Sequence, residues 1–194
     1  MCGIIGYIGN EQALPILIEG LKKLEYRGYD SAGVAVHNGL HININKAKGR
    51  LAVLEERVEG NHLIGTLGIG HTRWATHGEP SDINSHPHTN QSEDIAVVHN
   101  GIIENYMKIK SWLQREGYVF VSDTDTEGVA HLINYYYKGN LVEAVRNTLE
   151  RIEGSYALAV IAKGHPECMV VARKDSPLVI GLGEGENFIA SDIP

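Results

Sequence analysis

Ser31-Ala32-Gly33-Val34-Ala35-Val36-His37, then Asn38-Gly39, then Leu40-His41-Ile42-Asn43-Ile44-Asn45, is the stretch that separates two fold classes. Residues 31 to 37 make an apolar run fit for a strand, and residues 40 to 45 alternate apolar with polar. The Asn-Gly pair between them is a strong two-residue hairpin signal. A hairpin joins antiparallel neighbours, whereas parallel strands need a crossover of roughly a dozen residues or more, usually a helix.

Upstream, Cys2 to Ile8 is short, apolar and Gly-punctuated, as a buried strand would be. From Glu11, Leu14, Leu17, Ile18, Leu21 and Leu24 recur at helical spacing, with Pro15 acceptable only in the first turn. Downstream, the spacing predicts a short helix over Arg50 to Val58 and a strand at Leu67 to His71. Thr72 to Glu93 reads as a long polar loop, the kind that carries function. Ile95 to His99 is a strand that runs into Asn100-Gly101, and a helix over Tyr106 to Glu116 ends at Gly117. Thr124-x-x-Glu127 has the form of a capping box opening a helix through Val129, Leu132, Ile133 and Tyr136. A helix at Leu141 to Ile152 precedes strands at Tyr156 to Ala162, Met169 to Arg173, Leu178 to Ile180 and Phe188 to Ser191. Strands flank a helical middle, and several links are hairpin-like. The pattern predicts an α+β fold with antiparallel sheets in place of regular βαβ winding. With no repeat, low-complexity tract or linker, residues 1–194 are expected to form one domain.

The formal net charge of -7 argues against a nucleic-acid backbone as the main partner, which would call for a clustered basic face. Cys2 and Cys168 make no disulfide framework, so a reducing, cytoplasmic setting is the simpler expectation. No basic segment leads into an apolar run, and no stretch reaches the ~20 apolar residues of a membrane helix. Neither secretion nor membrane insertion is expected.

Several groups could do chemistry. Cys2 follows Met1 directly, so removal of Met1 would leave a thiol and a free α-amine on one residue, a nucleophile with its own base. Its other reading is a small hydrophobe opening a strand. Arg73 suits a substrate carboxylate through two parallel hydrogen bonds, and equally an internal ion pair. Trp74 beside it reads as packing. His77, His86 and His88 invite a metal reading, but no HExxH or CxxC accompanies them, and no metal is expected. His71 and His99, at the ends of apolar strands, read as hydrogen-bonded structural residues. Asn100-Gly101 reads first as a type I′ turn; it could also supply an oxyanion hole from the Asn amide and the Gly N–H. Asp125, in the first turn after Thr124, could be held by the helix dipole alone or could accept a substrate ammonium. Arg73 and Asp125 together would clamp both charges of a free α-amino acid.

Five ordered motifs add what spacing cannot: Cys2-Gly3-Ile4-Ile5-Gly6, Tyr26-Arg27-Gly28-Tyr29-Asp30-Ser31-Ala32-Gly33, His71-Thr72-Arg73-Trp74-Ala75-Thr76-His77-Gly78, His99-Asn100-Gly101-Ile102-Ile103-Glu104-Asn105 and Thr124-Asp125-Thr126-Glu127. Together they closely resemble the glutaminase domain of the class II, N-terminal-nucleophile glutamine amidotransferases. The Tyr-Arg-Gly-Tyr-Asp and Arg-Trp-Ala-Thr-His wording fits the sugar-aminating branch, which forms glucosamine 6-phosphate from fructose 6-phosphate. The phosphoribosylamine- and asparagine-forming branches share the Cys start and the Asn-Gly.

The resemblance implies a four-layer αββα sandwich, two antiparallel sheets between helices. It implies that Cys2, freed of Met1, attacks the side-chain amide of L-glutamine, its amine relaying the proton through a water. Asn100 and Gly101 would hold the oxyanion, Arg73 the α-carboxylate and Asp125 the α-ammonium. Trp74, Thr76 and His77 match the loop that closes over glutamine, and Arg27 matches a supporting arginine near the nucleophile. No cofactor is implied. Enzymes of this branch continue into sugar-isomerase domains that this chain does not contain, and a homodimer is expected of the full-length form. The alternatives are the glutaminase domain of another class II amidotransferase, or a non-catalytic glutamine-binding domain if Met1 stays attached.

Overall fold

A computed structural model describes residues 2–61, 63–74 and 78–193. Its order is β1 (Gly3–Ile8), α1 (Ala13–Leu24), β2 (Ser31–His37), β3 (Ile42–Lys48), α2 (Leu51–Val58), β4 (Leu67–Arg73), β5 (His88–Thr89) and β6 (Ile95–Ile103). There follow α3 (Tyr106–Arg115), α4 (Asp125–Tyr136), α5 (Leu141–Leu149), β7 (Gly154–Ala162), β8 (Met169–Lys174), β9 (Val179–Leu182) and β10 (Asn187–Ala190). A six-stranded sheet runs β3-β2-β4-β1-β10-β9 and a four-stranded sheet β5-β6-β7-β8. Every ladder between these strands is antiparallel.

Side-chain alternation sorts the core into three slabs, and hence the elements into four layers. Along β7, Ala157, Ala159 and Ile161 face the other sheet, with Ile4, Ile69 and Val98. Tyr156, Leu158 and Val160 face the opposite way, onto α3, α4 and α5 through Leu113, Leu132 and Val145. On the far side of the six-stranded sheet, Ile5, Tyr7 and Val34 pack against Leu17 and Leu21 of α1 and Leu54 of α2. The molecule is thus an αββα sandwich. Leu67-Gly68-Ile69-Gly70 explains how closely α1 lies on its sheet. The two large residues point between the sheets, whereas a Cβ on Gly68 would sit 2.8 Å from the Leu17 methyl. Pro15 falls in the first turn of α1, where its missing N–H costs no helical bond.

Several local expectations are corrected. The hairpin after β2 has a four-residue link, Asn38 to His41, because the Asn38 carboxamide caps it by accepting from the Leu40 and His41 amides. Asn100-Gly101 is no turn: it lies inside β6, with Asn100 opposite Ala157 and Gly101 opposite Tyr156. The capping box does not form. The Thr124 hydroxyl engages His88 Nε2 at 2.9 Å, and Glu127 accepts from the Val121 and Ser122 amides at 2.8 and 2.7 Å. The predicted loop at 72–93 is shortened by β4 and interrupted by β5. α5 stops at Leu149, three residues before Ile152.

Candidate active site

Cys2 stands just ahead of β1, at the end of the sheet where Gly3 lies opposite Thr72. That register brings the last residues of β4 beside the thiol. The Trp74 amide donates to Cys2 Sγ at 3.2 Å, and the thiol faces the Trp74 carbonyl at 3.5 Å. Burial pushes the thiol above its ordinary pKa, against the opposing pull of the Trp74 amide. At neutral pH the resting group is therefore the thiol, and any reaction as a thiolate would require a base. The reading that places this base on the Cys2 amine depends on Met1, which lies outside the described residues.

The Cys2 carbonyl oxygen accepts from two side chains, Asn100 Nδ2 at 2.9 Å and Arg27 Nε at 3.3 Å. Arg27 is in turn paired with Asp192, Nη1 to Oδ2 at 2.6 Å. Asn100 comes from β6 in the second sheet, so Cys2 sits where the two sheets meet. Gly101 has φ +120°, and a Cβ there would run into the Ser155 carbonyl on β7. Only glycine fits this bend of the strand.

Arg73 ends β4 with its side chain buried, and Nη2 donates to the Gly78 carbonyl at 3.1 Å. Asp125 opens α4, also buried, and its Oδ2 accepts from the Ile103 amide at 2.8 Å. Behind it the Thr126 hydroxyl is shared by His86 Nε2 and His99 Nδ1, each at 2.9 Å. Trp74 stands at the rim, half exposed, edge-on to Tyr29 at 5.4 Å.

One cavity of about 330 Å³ collects Cys2, Arg27, Arg73, Trp74, Asn100, Gly101 and Asp125. It is the right scale for a small ligand. Its lining includes a guanidinium, a carboxyl group and a thiol, and the residue that carries the thiol receives the Trp74 amide at Sγ and the Asn100 carboxamide at its carbonyl. Thr76 and His77 lie outside the described residues. His86 and His88 are committed to Thr126 and Thr124, and no metal-holding cluster is present among the described residues. Sequence reasoning missed Ser155, Ser176 and Pro177 on the cavity wall, and Asp192 behind Arg27. None carries a local signal, since each arrives from a distant strand or its flank.

Comparison with known proteins agrees with this architecture. The chain belongs to the glutamine amidotransferase domain family, which matches residues 71–194. It is 68% identical over its whole length to a glutamine–fructose-6-phosphate aminotransferase (isomerizing) of Caldanaerobacter subterraneus subsp. tengcongensis. It is 62% identical to the one from Clostridium tetani, and spans 32% of each relative's length. Among solved structures, glutamine phosphoribosylpyrophosphate amidotransferase of B. subtilis superposes with a TM-score of 0.83 at 30% identity, over 98% of this chain and 42% of that one. A second, described as the allosteric regulatory enzyme of purine biosynthesis, gives 0.86 at 31% over the same shares. The fold is that of the N-terminal-nucleophile amidotransferases. Among the described residues, no helix is long and apolar enough to cross a membrane.

Proposed function

We propose that this chain hydrolyses L-glutamine to L-glutamate and ammonia through a thioester on Cys2. The observation that carries the reading is the convergence of Cys2, Arg73, Asn100, Gly101 and Asp125 on one cavity. Arg73 binds the α-carboxylate and Asp125 the α-ammonium, fixing the side-chain amide against Cys2 Sγ. Thr76 and His77, with Trp74, close over the bound amino acid.

With Met1 removed, the free amine of Cys2 takes the thiol proton by way of a water, and the thiolate adds to the amide carbon. Asn100 Nδ2 and the Gly101 N–H hold the oxyanion that forms. This donor pair is the largest expected contribution to rate, because each donor removed from such a hole costs roughly 100- to 1,000-fold. The amine returns its proton to the departing nitrogen, releasing ammonia and leaving the glutamyl thioester. Water, deprotonated by the same amine, cleaves the thioester and restores the thiol. Arg27, held by Asp192, keeps the Cys2 carbonyl in place throughout.

Within a longer chain, residues 1–194 would act as the glutaminase unit. Its ammonia would pass to sugar-isomerase domains for glucosamine 6-phosphate formation from fructose 6-phosphate. A full-length homodimer in the cytoplasm, with no nucleic acid or membrane partner, completes the reading. The test is glutamate release by Met1-processed protein, verified by intact mass. Cys2→Ala should abolish release while leaving glutamine binding in place, and retention of activity would overturn the mechanism. Protein that keeps Met1 should bind glutamine but turn it over at most marginally.

A further inference from the structure

We infer that His71 is a positioning residue that fixes the orientation of the Asn100 carboxamide, and so decides which of its two ends faces the reacting oxygen. The inference rests on the glutaminase reading for its kinetic consequences, though not for its geometry.

His71 lies in β4, wholly buried, facing β6 of the other sheet. Its Nε2 is 3.0 Å from Asn100 Oδ1 and 3.0 Å from the His99 carbonyl oxygen. Both partners are acceptors, so Nε2 carries the proton. Nδ1 has no partner among the described residues, which suits a lone pair better than a buried, unmet donor. The ring stacks on His86 at 4.2 Å and 26°, and His86 is pinned by the Thr126 hydroxyl, so the imidazole has no other rotamer to explore at low cost.

A carboxamide is nearly symmetric in shape, and its two ends exchange by a simple rotation. With Oδ1 held by His71, Nδ2 faces the Cys2 carbonyl and the cavity. Rotated, Nδ2 would meet the His71 N–H and Oδ1 would meet the Cys2 carbonyl, two repulsive contacts replacing two hydrogen bonds. It would also present an acceptor where an oxyanion must form. His71 donates to the carbonyl preceding Asn100 as well, clamping that residue through backbone and side chain together. Burial keeps the ring neutral, its pKa pushed down to about 3, so this donor tautomer persists across the working range.

Three substitutions separate positioning from mere packing. His71→Gln can place an amide N–H where Nε2 stood, His71→Asn reaches only the Nδ1 position, and His71→Leu fills the space without a donor. His71→Leu and His71→Asn should lose roughly 10- to 100-fold in kcat, with KM for glutamine within about threefold. His71→Gln should recover most of the loss. Affinity for the aldehyde analogue of glutamate, which forms an oxyanion on addition of the thiol, should fall in step with kcat while affinity for glutamate stays constant. A second readout needs no activity or variant: imidazole nitrogen shifts by NMR should show His71 as the Nε2–H tautomer. An Nδ1–H tautomer, or a His71→Leu protein with undiminished kcat and aldehyde affinity, overturns the inference. Equal loss of aldehyde and glutamate affinity in all three variants does so too. If the wild-type protein releases no glutamate, the glutaminase reading fails instead, and the tautomer measurement still decides the geometry.

Discussion

At Gly101 a methyl group has nowhere to go: beyond the clash with the Ser155 carbonyl oxygen, the added carbon would lie 2.8 Å from that carbonyl's carbon and 3.0 Å from Tyr156 Cα. The backbone there is also at positive φ, which costs an L-residue about 1–3 kcal/mol by itself. Gly101→Ala should lower the thermal midpoint and, by twisting β6, reduce glutamate release more than stability alone accounts for; circular dichroism melts and kcat check the two parts. Cys2, Arg73 and Asp125 could be picked out of the sequence as candidates, each with a structural reading beside it, and the structure brings all three to one cavity. Asp192 was not, being separated from Arg27 by 165 residues, nor was Ser155, whose relevant atom is a backbone carbonyl.

Among elements, β6 and α4 do the positioning. β6 pairs with β7 along its whole length, from Ile95 opposite Ala162 to Ile103 opposite Gly154. That ladder overrides the local turn preference of Asn100-Gly101, and a window of a few residues has no access to it. The α4 start was read correctly from Thr124-x-x-Glu127, yet for a different bonding pattern. Glu127 is buried and gathers the Ser122 hydroxyl with the Val121 and Ser122 amides, joining the preceding loop to the helix that carries Asp125. Burial acts to raise its pKa, but these bonds and the nearby His131 outweigh it and hold the carboxyl at about 2. Glu127→Gln would set an amide donor against those donors and should cost about 2–3 kcal/mol, read as a lower urea midpoint at unchanged slope.

For the whole molecule, acid is the weak point. His71, His86 and His88 are buried, and desolvation drives all three pKa values well below 6.5. The unfolded chain therefore binds more protons than the folded one beneath that value. The stability these neutral rings contribute is fully present above about pH 6.5 and is lost as pH falls toward about 3. Each can add up to about 1.4 kcal/mol per pH unit to the slope. Urea midpoints measured from pH 8 to 5 should hold steady at first and then drop steeply; a flat profile would mean these rings titrate normally. The α+β class and nearly every element were legible from apolar period and turn residues. Strand order was not, because β1 lies between β4 and β10, and the second of those neighbours is supplied by the far end of the chain.

That neighbour relation has a mechanical side. β1 and β10 run antiparallel, Ile5 opposite Ala190 and Ile8 opposite Asn187, and the ladder is closed at its end by Ser191, which donates to the Ile4 carbonyl and accepts from the Ile4 amide. Tension applied between the residue 2 end and the residue 193 end would meet these bonds in series, opening them one at a time like a zipper. The first to part would be those nearest Cys2, Arg27 and Asp192. Under load the molecule would lose the setting of Cys2 while most of both sheets still stood.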